Sequence, residues 1–250
     1  MLALLLFGLG AGAGGLGALL GVGGGVVLVP ALVFLADLPF TAAVGTSLVC
    51  VVATSVAGSA VQFGRRMVDP ETALRLQAFA AAGAVLAGLA APFVPVRLLF
   101  LAFGVLLLTA AWRAWPRAST ETKAPVTAPH GALARAAAGA GGAIGGLLGV
   151  GGGIVFVPLL HALAGLDFHR AAATSVYLIG LTAGSGAVVY LMRGDVALPL
   201  VAPTMLGVLV GAWLASLGAR RIAASWLARA FAVLLVYVAV RMLARGVSGG

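Results

Sequence analysis

The sequence has 250 residues, of which 62% are hydrophobic and only 8% are charged, whereas soluble domains carry about 25% charged residues. A chain this apolar has too few polar groups to cover a water-facing surface, so its composition excludes a soluble protein and predicts an all-α polytopic protein of the lipid bilayer. The formal charge of +9 does not indicate nucleic-acid binding, because the basic residues stand singly or in pairs between apolar runs, as loop residues of membrane proteins do.

Five apolar segments are predicted in the first part of the chain, residues 1–115. Three of them are long enough to cross about 30 Å of hydrocarbon as a helix, whereas the second would reach only about 22 Å. The first segment lacks the basic region of a signal peptide, so we expect it to belong to the mature protein. The segments are 2–20, 22–36, 40–63, 73–94 and 97–115.

A glycine motif, GVGGG, occupies residues 21–25, where the first two segments meet. A glycine inside a helix costs about 1 kcal/mol relative to alanine, so the consecutive Gly23, Gly24 and Gly25 predict a break. Backbone groups freed by a break inside a membrane must be covered by protein or line a polar cavity. The helix that follows would present free N–H groups, which attract anions. The motif therefore predicts a broken or re-entrant element that binds solute or packs helices closely through small residues.

Polar side chains are few within the apolar segments. Thr46 and Ser47 follow Gly45 near the start of the third segment, where two hydroxyls can cap the helix or donate to a bound oxyanion. Gln62, near the other end of that segment, is expected to line a pathway or to lie at the membrane interface.

The second part of the chain, residues 132–250, repeats the first. GALLGVGGGVVLVP at 17–30 and GGLLGVGGGIVFVP at 145–158 are identical at 11 of 14 positions. We call the offset that pairs Gly17 with Gly145 the repeat spacing; further along, Gly88 matches Gly211 at a slightly shorter spacing. The apolar segments of this copy are 132–149, 150–166, 170–192, 196–217 and 223–244. The candidate site residues that match those of the first copy are Gly151, Gly152, Gly153, Thr174 and Ser175. Tyr190 matches Gln62, and we expect it to lie at the membrane interface, where tyrosine is common.

A polar, proline-bearing segment, 116–131, separates the copies and is predicted to be a cytoplasmic linker. If each glycine-broken pair crosses the membrane once, the copies have four spans each and run parallel, with ten basic residues inside and five outside. If it crosses twice, the copies have five spans each and are inverted, with eleven inside and four outside. Cytoplasmic loops of membrane proteins carry an excess of basic residues. Both arrangements satisfy this rule almost equally, so it does not decide between them. We favour the inverted arrangement, with both termini outside, because it places matched broken segments opposite each other at the midplane.

The chemistry of the remaining residues points to a neutral or anionic solute. The acidic residues all fall near segment ends, which disfavours a proton relay or a cation cage inside the membrane. No Cys and His cluster indicates a metal site, and the single Cys50 excludes an internal disulfide. A formal GxGxxG match at residues 10–15 lies in an apolar run without βαβ context. We therefore expect no metal, no cofactor and no enzymatic activity.

Two copies of GxGGGxxxVP, each followed by a G/A-T-S triplet, resemble the sulfite exporter family TauE/SafE, also called TSUP. The resemblance covers both halves, although Ala173 stands where the first copy has Gly45. It implies a multi-pass protein of the cytoplasmic (inner) membrane that transports sulfite, sulfoacetate, thiosulfate or a similar anion. The site would lie between the copies, formed by the glycine motifs and the hydroxyl pairs. The alternatives are an anion channel and a structural membrane protein without transport.

Overall fold

The computed structural model describes residues 2–114, 131–162, 164–218 and 224–248, and all of their regular structure is helical. This confirms the all-α prediction. Five helices, α1, α3, α4, α8 and α9, are long and apolar enough to cross a membrane within this part of the chain. The protein is therefore a multi-pass membrane protein. The helices are α1 Leu2–Leu20, α2 Gly25–Leu35, α3 Phe40–Gly64, α4 Pro70–Ala90, α5 Val96–Ala114, α6 Ala132–Leu148, α7 Gly153–Ala162, α8 Phe168–Met192, α9 Leu198–Gly218 and α10 Ala224–Ser248, with a 3₁₀ turn at Ala91–Phe93.

Several helix ends differ from the sequence expectation because of capping. The fourth helix begins at Pro70 rather than at residue 73, since the Asp69 side chain accepts a hydrogen bond from the Thr72 N–H and Pro70 fills the first turn. Asp167 caps α8 in the same way, accepting from the Arg170 N–H. The predicted linker 116–131 lies outside the described residues except for Gly131, which is the N-cap of α6.

The predicted breaks occur at the glycine motifs. Gly21, Gly23 and Gly24 have φ values of 71°, 84° and 76°, in the left-handed region that glycine adopts without steric cost. The N–H groups of residues 22 and 23 both donate to the Gly17 carbonyl, which ends α1. The chain then folds back along α1. Gly24 lies so close to α1 that a Cβ on it would be 2.8 Å from the Ala13 carbonyl oxygen. The first two helices therefore form a hairpin, and α2, with 11 residues, reaches only about 16 Å.

The second glycine motif forms the same hairpin. Gly149, Gly151 and Gly152 have φ values of 73°, 73° and 89°. The N–H groups of residues 150 and 151 donate to the Gly145 carbonyl, and α7 has 10 residues. Both breaks were predicted, but each short helix starts later than expected because the turn occupies residues 21–24 in the first motif and 149–152 in the second.

Residues 1–91 and 123–217 form one compact unit, in which α3 and α8 are the central helices. These two helices run antiparallel: Leu48 lies beside Gly186, and the Ser55 hydroxyl donates to the Val176 carbonyl at 2.6 Å.

Glycines bring the outer helices of this unit close together in parallel pairs. Gly14 of α1 packs against Val208 of α9, and Gly142 of α6 packs against Ala80 of α4. The two pairs are related by the full repeat spacing, which matches Gly14 with Gly142 and Ala80 with Val208. The shift to a shorter spacing, expected from Gly88 and Gly211, is therefore wrong for the packing of these helices.

Residues 92–122 and 218–250 form a second unit. Its helices α5 and α10 pack antiparallel, since Gly104 lies against Leu243 and Leu101 lies against Gly246. The guanidinium of Arg245 lies 5.9 Å from the centre of the Phe100 ring, a geometry that favours a cation–π interaction.

Candidate functional site

The two glycine turns meet in the interior of the first unit. A Cβ on Gly153 would lie 2.6 Å from the Gly21 carbonyl oxygen, and one on Gly25 would clash with the Gly149 carbonyl. The structure thus brings together the six glycines predicted to form the site. Only glycine permits this approach of one backbone to another.

These turns lie at mid-length of the central helices. A Cβ on Gly23 would lie 3.2 Å from Val51 and 3.0 Å from Ile179. Each of these side chains belongs to the middle of a 25-residue helix, α3 or α8. If α3 and α8 span the bilayer, the turns lie close to its midplane.

Each glycine turn is bound to the opposite copy by the hydrogen bond of one buried serine. The Ser47 hydroxyl donates to the Gly149 carbonyl at 2.8 Å, and the Ser175 hydroxyl donates to the Gly21 carbonyl at 3.0 Å. Both side chains are fully buried. The two donors are related by the repeat spacing, as are the two acceptors, so the hydrogen bonds are matched.

The threonine hydroxyls accept hydrogen bonds from backbone N–H groups near the ends of the central helices. The Thr46 hydroxyl accepts from the Ala197 N–H, and the Thr174 hydroxyl accepts from the Asp69 N–H, both at 3.0 Å. The repeat spacing relates these two bonds as well. The expectation that these hydroxyls cap α3 and α8 is wrong, because the N-caps are Pro39 and Asp167.

The difference between Gly45 and Ala173 also has a packing reason. A Cβ on Gly45 would clash with the Asp195 carbonyl and lie 2.9 Å from the Cβ of Tyr190. The close approach of the loop after α8 therefore requires glycine at residue 45.

Gln62 is not brought to the glycine turns. It is partly buried in the last turns of α3, eleven residues beyond Val51 and hence about 16 Å further along the helix. Its match in the second copy is Tyr190, for which Tyr's abundance at membrane interfaces predicted an interfacial position. In the structure Tyr190 is only 1% exposed, and its hydroxyl donates to the Gly146 carbonyl at 3.2 Å.

Sequence reasoning missed two arginines that join the copies. Arg65 donates to the carbonyls of residues 216 and 217 at the end of α9, and Arg193 donates to the Gly88 carbonyl near the end of α4. Arg193 also pairs with Asp195 at 2.6 Å. Cations stabilise the free carbonyls at helix C-termini. The sequence did contain a sign of their role, because the repeat spacing relates the two arginines.

The arrangement can attract an anion through the backbone. The first N–H groups of α2 and α7, starting at Gly25 and Gly153, have no acceptor within their own helices. Because the turns meet, the positive ends of two helix dipoles converge on one region. The acidic residues in the described ranges lie at helix ends and in loops, as the sequence predicted; they are Asp37, Asp69, Glu71, Asp167 and Asp195.

Comparisons with known proteins agree with this architecture. A family model described as sulfite exporter TauE/SafE matches residues 6–242. A relative described as probable membrane transporter protein YunE, from Bacillus subtilis (strain 168), is 27% identical over 235 residues, covering 82% of this chain and 85% of that protein. No solved structure matches. The chain therefore belongs to the sulfite exporter TauE/SafE family, and it is a membrane transporter of that type.

Proposed function

We propose that the protein is a secondary transporter that carries a small sulfur-containing oxyanion or organosulfur anion, such as sulfite, sulfoacetate or thiosulfate, across the cytoplasmic membrane. The observation that carries this proposal is the meeting of two glycine turns, each starting a short helix, at mid-length of the central helices. The family supports the class of solute, and the converging helix N-termini support its negative charge.

The solute would be held chiefly by the backbone N–H groups of Gly24, Gly25, Gly152 and Gly153, because those of Gly23 and Gly151 donate to the carbonyls that end the preceding helices. Each helix N-terminus carries about half a positive elementary charge, so a buried anion between the two would be stabilised without a basic side chain. The Ser47 and Ser175 hydroxyls now donate to carbonyls of the opposite turns. Separating the turns would free these donors for oxyanion oxygens, so solute binding and movement of the turns would be coupled.

Alternating access would follow from an inverted arrangement of the copies. The matched helices α3 and α8 run antiparallel, which supports inversion, and the hairpins α1–α2 and α6–α7 would enter the membrane from opposite sides. Rocking of one copy against the other would then expose the midplane turns to one side at a time.

Flux measurements in proteoliposomes test the proposal. We expect uptake of radiolabelled sulfite to saturate with concentration and to be inhibited by thiosulfate and sulfoacetate, with protein-free liposomes as the control. Flux that rises linearly without saturation would favour an anion channel. No flux of any sulfur anion, together with no thermal stabilisation of the purified protein by these anions, would contradict transport.

A further inference from the structure

Two matched helix interfaces, called the first and the second crevice below, lie along the C-terminal halves of the two central helices. In the first crevice, a Cβ on Gly58 of α3 would meet Val176 at 3.1 Å, Ala18 at 3.6 Å and the Ser216 hydroxyl at 3.8 Å. In the second, a Cβ on Gly186 of α8 would meet Leu48, Gly146 and Ala84 at 3.3–3.8 Å. Because α3 and α8 run antiparallel, these two interfaces lie toward opposite ends of the unit.

The two crevices carry different side chains at matched positions. Spacings of four and three residues place three polar groups of α3 on one helix face. The polar residues of the first crevice are Ser55, Ser59, Gln62 and, from α9, Ser216. The residues that the repeat spacing places at the same positions of the second crevice are Ala183, Ala187, Tyr190 and Gly88.

The second crevice contains the buried side chain of Tyr190. The tyrosine ring lies 3.5 Å from the Cβ position of Gly88, and its hydroxyl donates to the Gly146 carbonyl. The guanidinium of Arg193 lies 5.4 Å from the ring centre and covers it. The buried tyrosine ring is therefore in contact with both Gly88 and the Arg193 guanidinium.

The first crevice holds a polar group without a partner. The Ser216 hydroxyl is buried, and it makes no hydrogen bond to any described residue. A buried hydroxyl left unpaired is unfavourable, so its presence needs an explanation such as a water or a solute in transit. Gln62 is partly buried further out, and Arg65, whose guanidinium binds the Ser216 carbonyl, is exposed at the mouth.

We propose that the first crevice is the hydrated route by which the anion reaches the glycine turns from the face that carries Arg65, and that Tyr190 is the gate of the second crevice. The inference rests on the proposed transport function. The unpaired Ser216 hydroxyl and the Gln62 amide, near the Arg65 cation, are donors that suit an oxyanion solute. In the inverted arrangement, the Arg65 face is the cytoplasmic one.

Cysteine labelling tests the route without knowledge of the solute. Cys50 is buried and free, so Cys50→Ala gives a background for Ser59→Cys in the first crevice and the matched Ala187→Cys in the second. A thiol reacts with a polar reagent only when water reaches it, so we expect a membrane-impermeant methanethiosulfonate to label Ser59→Cys about tenfold or more faster than Ala187→Cys. Ser216→Cys gives a second reading of the first crevice. All of these variants must keep the gel-filtration profile and melting temperature of the Cys50→Ala parent.

The gate is tested by adding Tyr190→Ala to Ala187→Cys, which should raise its labelling rate to near that of Ser59→Cys. Equal rates in the two crevices, or faster labelling of Ala187→Cys with Tyr190 in place, would overturn the proposal. Sulfoacetate, which does not consume thiol reagents, should slow labelling of Ser59→Cys. A preserved difference between the crevices without this protection would contradict the proposed solute class while supporting the hydrated route.

Discussion

The glycine turns and the crevices differ in how closely the two halves of the chain match. At the turns, the serine and threonine hydrogen bonds recur with the same geometry at the repeat spacing. In the crevices, the matched positions carry hydroxyl or amide groups in one half and Ala, Gly or Tyr in the other. The centre is therefore built alike from both halves, whereas the two crevices differ in their side chains. A carrier needs one site reachable from two sides, but the two approaches need not be equivalent.

Substitutions in the glycine turns are expected to reduce the stability of the protein more than any other change considered below. Gly24→Ala and Gly152→Ala place a Cβ 2.8 Å and 2.6 Å from carbonyl oxygens of the preceding helix, at φ values of 76° and 89°. Because the strain of a left-handed residue, about 1–2 kcal/mol, adds to a backbone clash, we expect both variants to lose most of their folded population. Leucine at either position should abolish transport while the long helices still insert.

Thermal melting in detergent measures this effect, with Gly194→Ala as the matched control. Gly194 has a φ of 75° but nothing within 4 Å of its Cβ position, so alanine there should cost only the strain, about 1–2 kcal/mol. If Gly24→Ala melts no lower than Gly194→Ala, the close approach of the hairpin helices is not as described.

Alanine substitutions of the matched serines are expected to have a smaller effect on stability, and they test whether the two serines are equivalent. Ser47→Ala and Ser175→Ala each leave a buried glycine carbonyl without its donor, which should destabilise the protein by about 1–3 kcal/mol, equally in both. If the hydroxyls also reach the solute, both variants and Thr46→Val should weaken anion binding by a similar amount. Melting temperatures with and without sulfoacetate measure both quantities. A lowered melting temperature with an unchanged binding constant would restrict these hydroxyls to structure.

The smallest expected effect compares the two arginines. The Arg193 side chain is 25% exposed and pairs with Asp195, which is 28% exposed, so Arg193→Gln leaves a partly buried carboxylate unpaired and should lower the melting temperature clearly. Arg65 is exposed, and exposed charges contribute about 0–1 kcal/mol, so Arg65→Gln should have little effect on stability. Equal losses of stability in the two variants would contradict the difference in exposure.

Local features of the fold could be read from the sequence, whereas contacts between distant residues could not. Three consecutive glycines sufficed to predict each break, because their helix propensity is low whatever surrounds them. The partner of Ser47 is Gly149, which lies far away in the other half of the chain, and no spacing along one segment indicates it. The sequence therefore identified the hydroxyls but not the carbonyls that they bind.

The remaining misses have the same origin. Tyrosine is common at membrane interfaces, but the side chain of Tyr190 is buried and packs against Gly88. Gln62 shares a segment with Thr46 and Ser47, yet the length of α3 keeps it away from the turns. Which polar residues of a long helix share one site depends on the helices packed around it.

The side of the membrane on which the C-terminus lies tests whether the two copies are inverted around one site. Fusions after Gly250 to a fluorescent protein that folds only in the cytoplasm, and to alkaline phosphatase, which is active only outside it, give opposite readings. The inverted arrangement predicts a dark fluorescent fusion and an active phosphatase. A bright fluorescent fusion with an inactive phosphatase would contradict the inverted arrangement with both termini outside.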